Sequence, residues 1–193
     1  MSEQFSGISI VEGADGRHQP SFTATQRLKR VVWNITYILI FRWTPRPMHE
    51  WRSMVLRLFG AKVGKHVHVY GKAKIWAPWN LILEDEASIA EDVTVYSIAT
   101  ITLKKKAIVS QNAYLCTGSH DYTSRNFQLV AFPIVIGENA WVCTDAFIGP
   151  GVTIGKDCVI GARAVATKDM PEGMVCAGHP ARSIKKRYAT PDE

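Results

Sequence analysis

A repeat of six residues governs what this chain can fold into. From Ile136 to Met170 the sequence reads IGENAW VCTDAF IGPGVT IGKDCV IGARAV ATKDM. Ile136, Val142, Ile148, Ile154, Ile160 and Ala166 recur at every sixth place, and Ala140, Ala146, Val152, Cys158, Ala164 and Met170 each follow four places later. A helix repeats its apolar face every 3.6 residues and a strand every 2, so neither sustains this pattern. A fixed period is the mark of a stacked repeat. The physical reading is a parallel β-helix in which each hexad supplies one short strand and one corner. The aliphatic residue points inward, the small residue fills the inside of the neighbouring layer, and Gly, Asn or Asp takes the tight corner. The competing reading, an irregular Gly-rich loop, would have to place six aliphatic side chains in register by chance.

The period begins earlier. Val63, Val69 and Ile75 start hexads, then Leu83, Ile89 and Val95, then Leu103, Val109 and Leu115. Slips near Asn80–Ile82 and after Ile101 reset the frame, and a solenoid tolerates such insertions because each layer touches only its neighbours. With three hexads to a triangular layer, the expected fold is an all-β solenoid of about five coils. The pattern stops between Gly118 and Val135, GSHDYTSRNFQLVAFPIV. Such an insert must project from a corner, and projecting loops carry function. The organisation expected is a flexible N-terminal arm (1–21), a helical segment (22–60), the β-helix (61–177) with its loop at 118–135 and a strand-like Met174–Ala177, and a closing segment (178–193) made of a short helix and a flexible tail.

The helical segment carries an uneven charge. Residues Arg17 to Arg57 hold eight Lys/Arg against one acid, Glu50, in a chain of net charge +6. A basic patch confined to a Trp-rich segment points to a membrane surface or an acidic partner and away from nucleic acid. A first helix is expected within Thr23–Trp43, capped by Thr23 or Thr25. Its apolar run Val31–Trp43 is thirteen residues long, short of the about 20 that cross a bilayer. It is therefore either buried against the β-helix or another subunit, or it lies in an interface with Arg27, Lys29, Arg30 and Arg42 toward lipid phosphates and Trp33, Tyr37 and Trp43 at headgroup depth. A second helix is expected from Pro47 to Phe59, with Met48, Trp51, Val55 and Leu58 as its apolar face and Gly60 as its stop.

Cys116, Cys143, Cys158 and Cys176 form no CxxC pair. Neither disulfides nor zinc are expected, and a reducing cytoplasm is the simplest setting. The N-terminal MSEQFSGISI lacks a basic stretch followed by a long apolar run, so no signal peptide is expected. His120, in TGSHD at the start of the projecting loop, stands out chemically. An imidazole there has a proton affinity suited to activating a hydroxyl, against the plainer reading of a surface histidine on a loop.

The hexads, TGSHD, Trp141 in NAWV, GARAVATKDM and the closing AGHPAR resemble the left-handed β-helix, or hexapeptide-repeat, acyltransferases. Within them, NITYILIFRWTPRPMHEWR and LRLFGAKVG resemble the lead-in of the colanic-acid-type O-acetyltransferases of exopolysaccharide pathways. The resemblance spans roughly residues 22–187. It implies a homotrimer with sites at subunit interfaces and acetyl-CoA in the groove between neighbouring β-helices, with no metal required. His120 matches the general base that lets an acceptor hydroxyl attack the thioester directly, and Asp121 would orient that imidazole or the acceptor. Trp141, Gly161, Ala162, Thr167, Lys168 and Arg182 match coenzyme contacts. Where many relatives carry an acceptor-binding Asn, this chain has Tyr96-Ser97, and Ser97 would donate the hydrogen bond instead. The acceptor implied is a sugar, free or in a lipid-linked oligosaccharide, at the inner face of the membrane, with residues 22–60 as a peripheral contact to anionic lipid.

Three other readings stand beside this one. A non-catalytic trimeric scaffold would keep the hexads without TGSHD or GARAVATKDM. An acyltransferase for a different small acceptor would keep both. A β-helical carbonic anhydrase needs three convergent histidines, and residues 136–170 contain none.

Overall fold

A computed structural model describes residues 8–9, 21–125 and 127–188; most of the expected N-terminal arm lies outside the described residues. The body is a parallel β-solenoid of about six turns with helices at its N-terminal end. The first sheet stacks Lys62–Val63, Leu81–Leu83, Ile101–Leu103, Ile134–Ile136 and Thr153–Ile154. The second stacks His68–Val69, Ser88–Ile89, Ile108–Val109, Trp141–Val142, Val159–Ile160 and Met174–Gly178. The third stacks Lys74–Ile75, Thr94–Tyr96, Tyr114–Cys116, Phe147–Ile148 and Val165–Ala166.

The register puts like on like. Val69, Ile89, Val109, Val142, Ile160 and Cys176 align as one inward column of the second sheet, and all are buried. The small partners Ala73, Ala87, Ala107, Ala113, Ala140, Ala146 and Ala164 are fully buried between such columns. The coil count exceeds the expected five because the repeat does not end at Met170. Met170 still bridges to Ile154, and Met174–Gly178 continues the second sheet in parallel with Val159–Ile160.

The corners match expectation at Asn and Asp, such as Asn139 and Asp157, and differ from it elsewhere. At the corner from first to second sheet, His66, Glu86, Lys106, Asn139 and Asp157 all have φ between 54° and 62°. The Ile-Gly glycines are not the left-handed residues. Gly155 is there for room: a Cβ would come within 2.5 Å of the Glu172 backbone nitrogen on the next coil. The corner from third to first sheet is the irregular one. It holds the 3₁₀ turn Pro78–Asn80, then Ser97–Thr100, then the whole 117–133 excursion, so both frame slips fall there.

Helix α1 (Ala24–Thr36) opens on a capping box. The Gln26 amide donates to Thr23 Oγ1 at 3.2 Å, and the Thr23 amide donates to Gln26 Oε1 at 2.9 Å. It runs on into a π-helical turn, Tyr37–Phe41. Trp33 and Phe41 are fully buried against the first coil, and Trp33 Nε1 donates to the Ile75 carbonyl at 2.7 Å. Helix α2 (His49–Leu58) does not bury the face expected of it. Val55 and Leu56 go inside with Arg52 and Ser53, while Met48, Trp51 and Leu58 stay exposed. Arg52 is inside because its guanidinium is saturated. It donates to Thr44 Oγ1 and to the carbonyls of Val69, Pro45 and Arg46, which offset the cost of taking a cation out of water. The expected closing helix is instead an antiparallel hairpin, Met174–Gly178 with Ala181–Lys186, covering the open end of the second sheet.

Candidate active site

The projecting loop rises from the third-to-first corner as a two-stranded hairpin. Gly118–His120 pairs antiparallel with Leu129–Ala131, and Ile8–Ser9 adds to the outer edge. Gly118 is required by close approach: a Cβ would sit 2.7 Å from Ile98 and 2.9 Å from Tyr96. The hairpin ends on His120, which is exposed. Its Nδ1 lies 2.9 Å from the Phe127 carbonyl oxygen. A carbonyl only accepts, so Nδ1 carries the proton and the neutral ring keeps its lone pair on Nε2. The Phe127 ring stacks on the imidazole at 4.6 Å and 8°, fixing the ring plane.

Asp121 does not hold the imidazole. Its Oδ1 accepts from the Thr123 hydroxyl at 2.6 Å, the Thr123 amide at 2.9 Å and the Ser124 amide at 3.2 Å. The Thr123 hydroxyl, with that residue's amide, pulls its carboxyl below the ordinary range. The carboxylate shapes the loop that presents Phe127, and the orienting group is a backbone carbonyl.

His120 opens onto a groove of about 770 Å³ shared with Tyr122, Phe132, Gly151, Thr167 and Lys168. Thr167 and Lys168 reach it because they occupy the same corner two coils on, just after Val165–Ala166. The other candidates lie elsewhere. Trp141 is 43% exposed on the second sheet, its Nε1 donating to Ser110 Oγ at 2.8 Å. Gly161 and Ala162 form the corner from second to third sheet, where a Cβ on Gly161 would stand 2.9 Å from that of Ala177. Arg182 pairs with that same Ala177 in the closing hairpin. The candidate residues thus fall into two groups, His120, Thr167 and Lys168 on the third-to-first corner and Trp141, Gly161, Ala162 and Arg182 on the other side of the third sheet.

Ser97 needs correction as a substrate contact. Its hydroxyl is fully buried, donates to the Ala77 carbonyl at 3.0 Å and accepts from the Ala77 amide at 3.1 Å. It staples two corners together and has no free face. Tyr96 is half-buried, its ring edge-on to Trp76 at 5.8 Å, and burial pushes its phenol pKa up. Next to it lies a second cavity, of about 390 Å³, lined among others by Lys29, Arg30, Trp76, Trp79 and Ala131. The Arg30 guanidinium sits 3.9 Å over the Trp76 ring, and its Nε is buried with no partner. Val130 faces the His120 groove and Ala131 this cavity, so one hairpin strand separates the two spaces. Among the described residues no three His, Cys, Asp or Glu side chains gather as a metal cluster.

Residues 133–168 match the family described as bacterial transferase hexapeptide (six repeats). The Escherichia coli K12 protein named as a colanic acid biosynthesis acetyltransferase, WcaF, is 42% identical over 188 residues, 97% of this chain and 99% of that one. The chain belongs to the hexapeptide-repeat acetyltransferase family. The galactoside O-acetyltransferase of Escherichia coli K12 is a further relative, 36% identical over 145 residues, 74% of this chain and 71% of that one. A solved galactoside acetyltransferase in complex with coenzyme A superposes with a TM-score of 0.78 at 26% identity, covering 88% of this chain and 86% of the other. In this hexapeptide-repeat acetyltransferase, the lining and positioning residues that no motif marks are Phe127, Lys29, Arg30, Trp76 and Trp79; Lys29 and Arg30, expected toward lipid phosphates, lie over Trp79 and Trp76 in the second cavity instead. Phe127 acts through its carbonyl and has no sequence signature. The four others sit on a helix and an early corner that meet only in the fold.

Proposed function

We propose that the chain transfers an acetyl group from acetyl-CoA to a hydroxyl of a sugar in an exopolysaccharide precursor, with His120 as general base. The observation that carries this reading is the bond between His120 Nδ1 and the Phe127 carbonyl, which leaves Nε2 as an acceptor at the mouth of the groove. Nε2 takes the proton of the acceptor hydroxyl as its oxygen bonds to the acetyl carbon. The bond from that carbon to sulfur breaks, and the imidazolium returns the proton to the departing thiolate. His120 ends as it began, and water must stay out only while the thioester is bound.

The residues fit a coenzyme. The groove has a lysine and a threonine exposed on its wall. Thr167 and Lys168 would hold the arm nearest the thioester. Trp141, Gly161, Ala162 and Arg182 would hold the far half, Arg182 as a guanidinium partner for phosphate. Because the halves sit on different corners of one chain, the reading takes the second half from a neighbouring subunit of a homotrimer. The cavity beyond the hairpin, with two indoles and two cations, suits the acceptor, a polar ring that carries negative charge nearby. Acetyl-CoA as donor and four free thiols fit a cytoplasmic enzyme. The test is a screen of nucleotide-linked and lipid-linked sugars with acetyl-CoA, read as free thiol release. Acceptor-dependent release is expected for at least one anionic, sugar-bearing acceptor. Release only at the rate seen with water, across the whole screen, would count against the reading.

A further inference from the structure

We infer that the outer face of the N-terminal helices is a docking surface for an anionic lipid bilayer, on which the protein lies without crossing it. Twelve large apolar residues between Leu28 and Leu58 are 36–77% exposed. Monomer surfaces rarely leave that much contiguous apolar area to water without a use. On α1 and its π turn they share one side: Leu28, Val31, Ile35 and Leu39 follow the helical spacing, opposite the buried Trp33 and Phe41. The outer side of α2 continues this face, because Trp51 Nε1 donates to the Ile40 carbonyl at 2.8 Å and ties the two together. Trp43, 71% exposed, stands at the edge with the Arg42 guanidinium 5.1 Å from its ring centre.

Charge decides the occupant. Arg27 and Arg42 flank the apolar stripe and are exposed, and Glu50 is the one acid among residues 21–60. Two copies meeting face to face would bring these cations together with Glu50 as the one acid of the segment to answer them. A surface of lipid phosphates supplies the opposite charge, and the apolar side chains and indoles fit the depth of headgroups and upper acyl chains. Among the described residues no helix is long and apolar enough to cross a membrane. The opposite side of α1 is packed on the first coil by Trp33, so the helices stay attached to the solenoid and bring its N-terminal end, with the Arg30 and Trp76 cavity, to the bilayer plane.

The test is sedimentation of the full chain with vesicles of phosphatidylcholine alone and with about 30 mol% phosphatidylglycerol. The chain should pellet with the anionic vesicles and be released by about 0.5 M salt in part, since salt screens the cations and spares the apolar contact. Leu39→Glu with Trp43→Glu should lower partitioning about tenfold or more, at unchanged circular dichroism and unchanged mass in light scattering. Arg27→Gln with Arg42→Gln should weaken binding to the anionic vesicles alone. A wild-type chain left in the supernatant, or variants that pellet like it, overturns the inference. So does a fall in oligomeric mass with the apolar pair, which would assign the face to a second copy. If that pair alters the circular dichroism, the arginine pair decides, and its unchanged pelleting overturns the inference.

Discussion

Ser97 and His120 show how differently two polar side chains on the same corner behave. The Ser97 hydroxyl serves both backbone groups of Ala77. Ser97→Ala strands a buried amide and carbonyl, a loss of about 1–3 kcal/mol. The unfolding free energy should fall by that amount in a denaturant titration, while KM for any acceptor stays where it was. A changed KM with intact stability would return Ser97 to the substrate. His120 was legible in the sequence because TGSHD sits where the hexads stop. Its positioning was not. The group that fixes its tautomer is a main-chain carbonyl seven residues on, and a carbonyl belongs to every residue alike. Asp121, the obvious neighbour by type, is held by the turn that follows it.

At the scale of elements, the hexads specified their own strands, and the inward columns Val69 to Cys176 and Ile136 to Ile154 follow the period. Two features escaped it. The buried side of α2 contains an arginine, which an apolar period cannot signal, because burial there depends on carbonyls contributed by the turn before the helix. The Ile-Gly glycines were read as corner residues, whereas the backbone bends at the fourth place of each such corner, where Asn139 and Asp157 adopt positive φ. Gly155 is fixed by the coil above it. Gly155→Ala pushes a methyl group into the Glu172 backbone, and overpacking of that kind costs about 1–3 kcal/mol. A drop in thermal midpoint with the enzyme otherwise competent is expected. An unchanged midpoint would mean that the last coil yields freely.

For the whole molecule, the sequence carried the six-residue period and hence the solenoid, and the resemblance implied sites shared between subunits, but neither showed which candidate residue falls on which side of the coil. The split between the His120 corner and the Trp141–Gly161–Arg182 side appears only when the coils are stacked. Division between subunits predicts complementation. His120→Ala and Trp141→Ala chains, each inactive alone, should regain about a quarter of wild-type activity when refolded together at equal amounts, since about one interface in four then pairs two intact halves. No recovery on mixing would place both halves in one subunit.

His120 as the base is what ties the groove to acetyl transfer. The most direct measurement is the acetyl-transfer rate of His120→Ala, followed as thiol release, with coenzyme A binding measured alongside. A fall in kcat of about 10²–10⁴-fold at unchanged coenzyme affinity is predicted. A near wild-type rate in that variant would contradict the account.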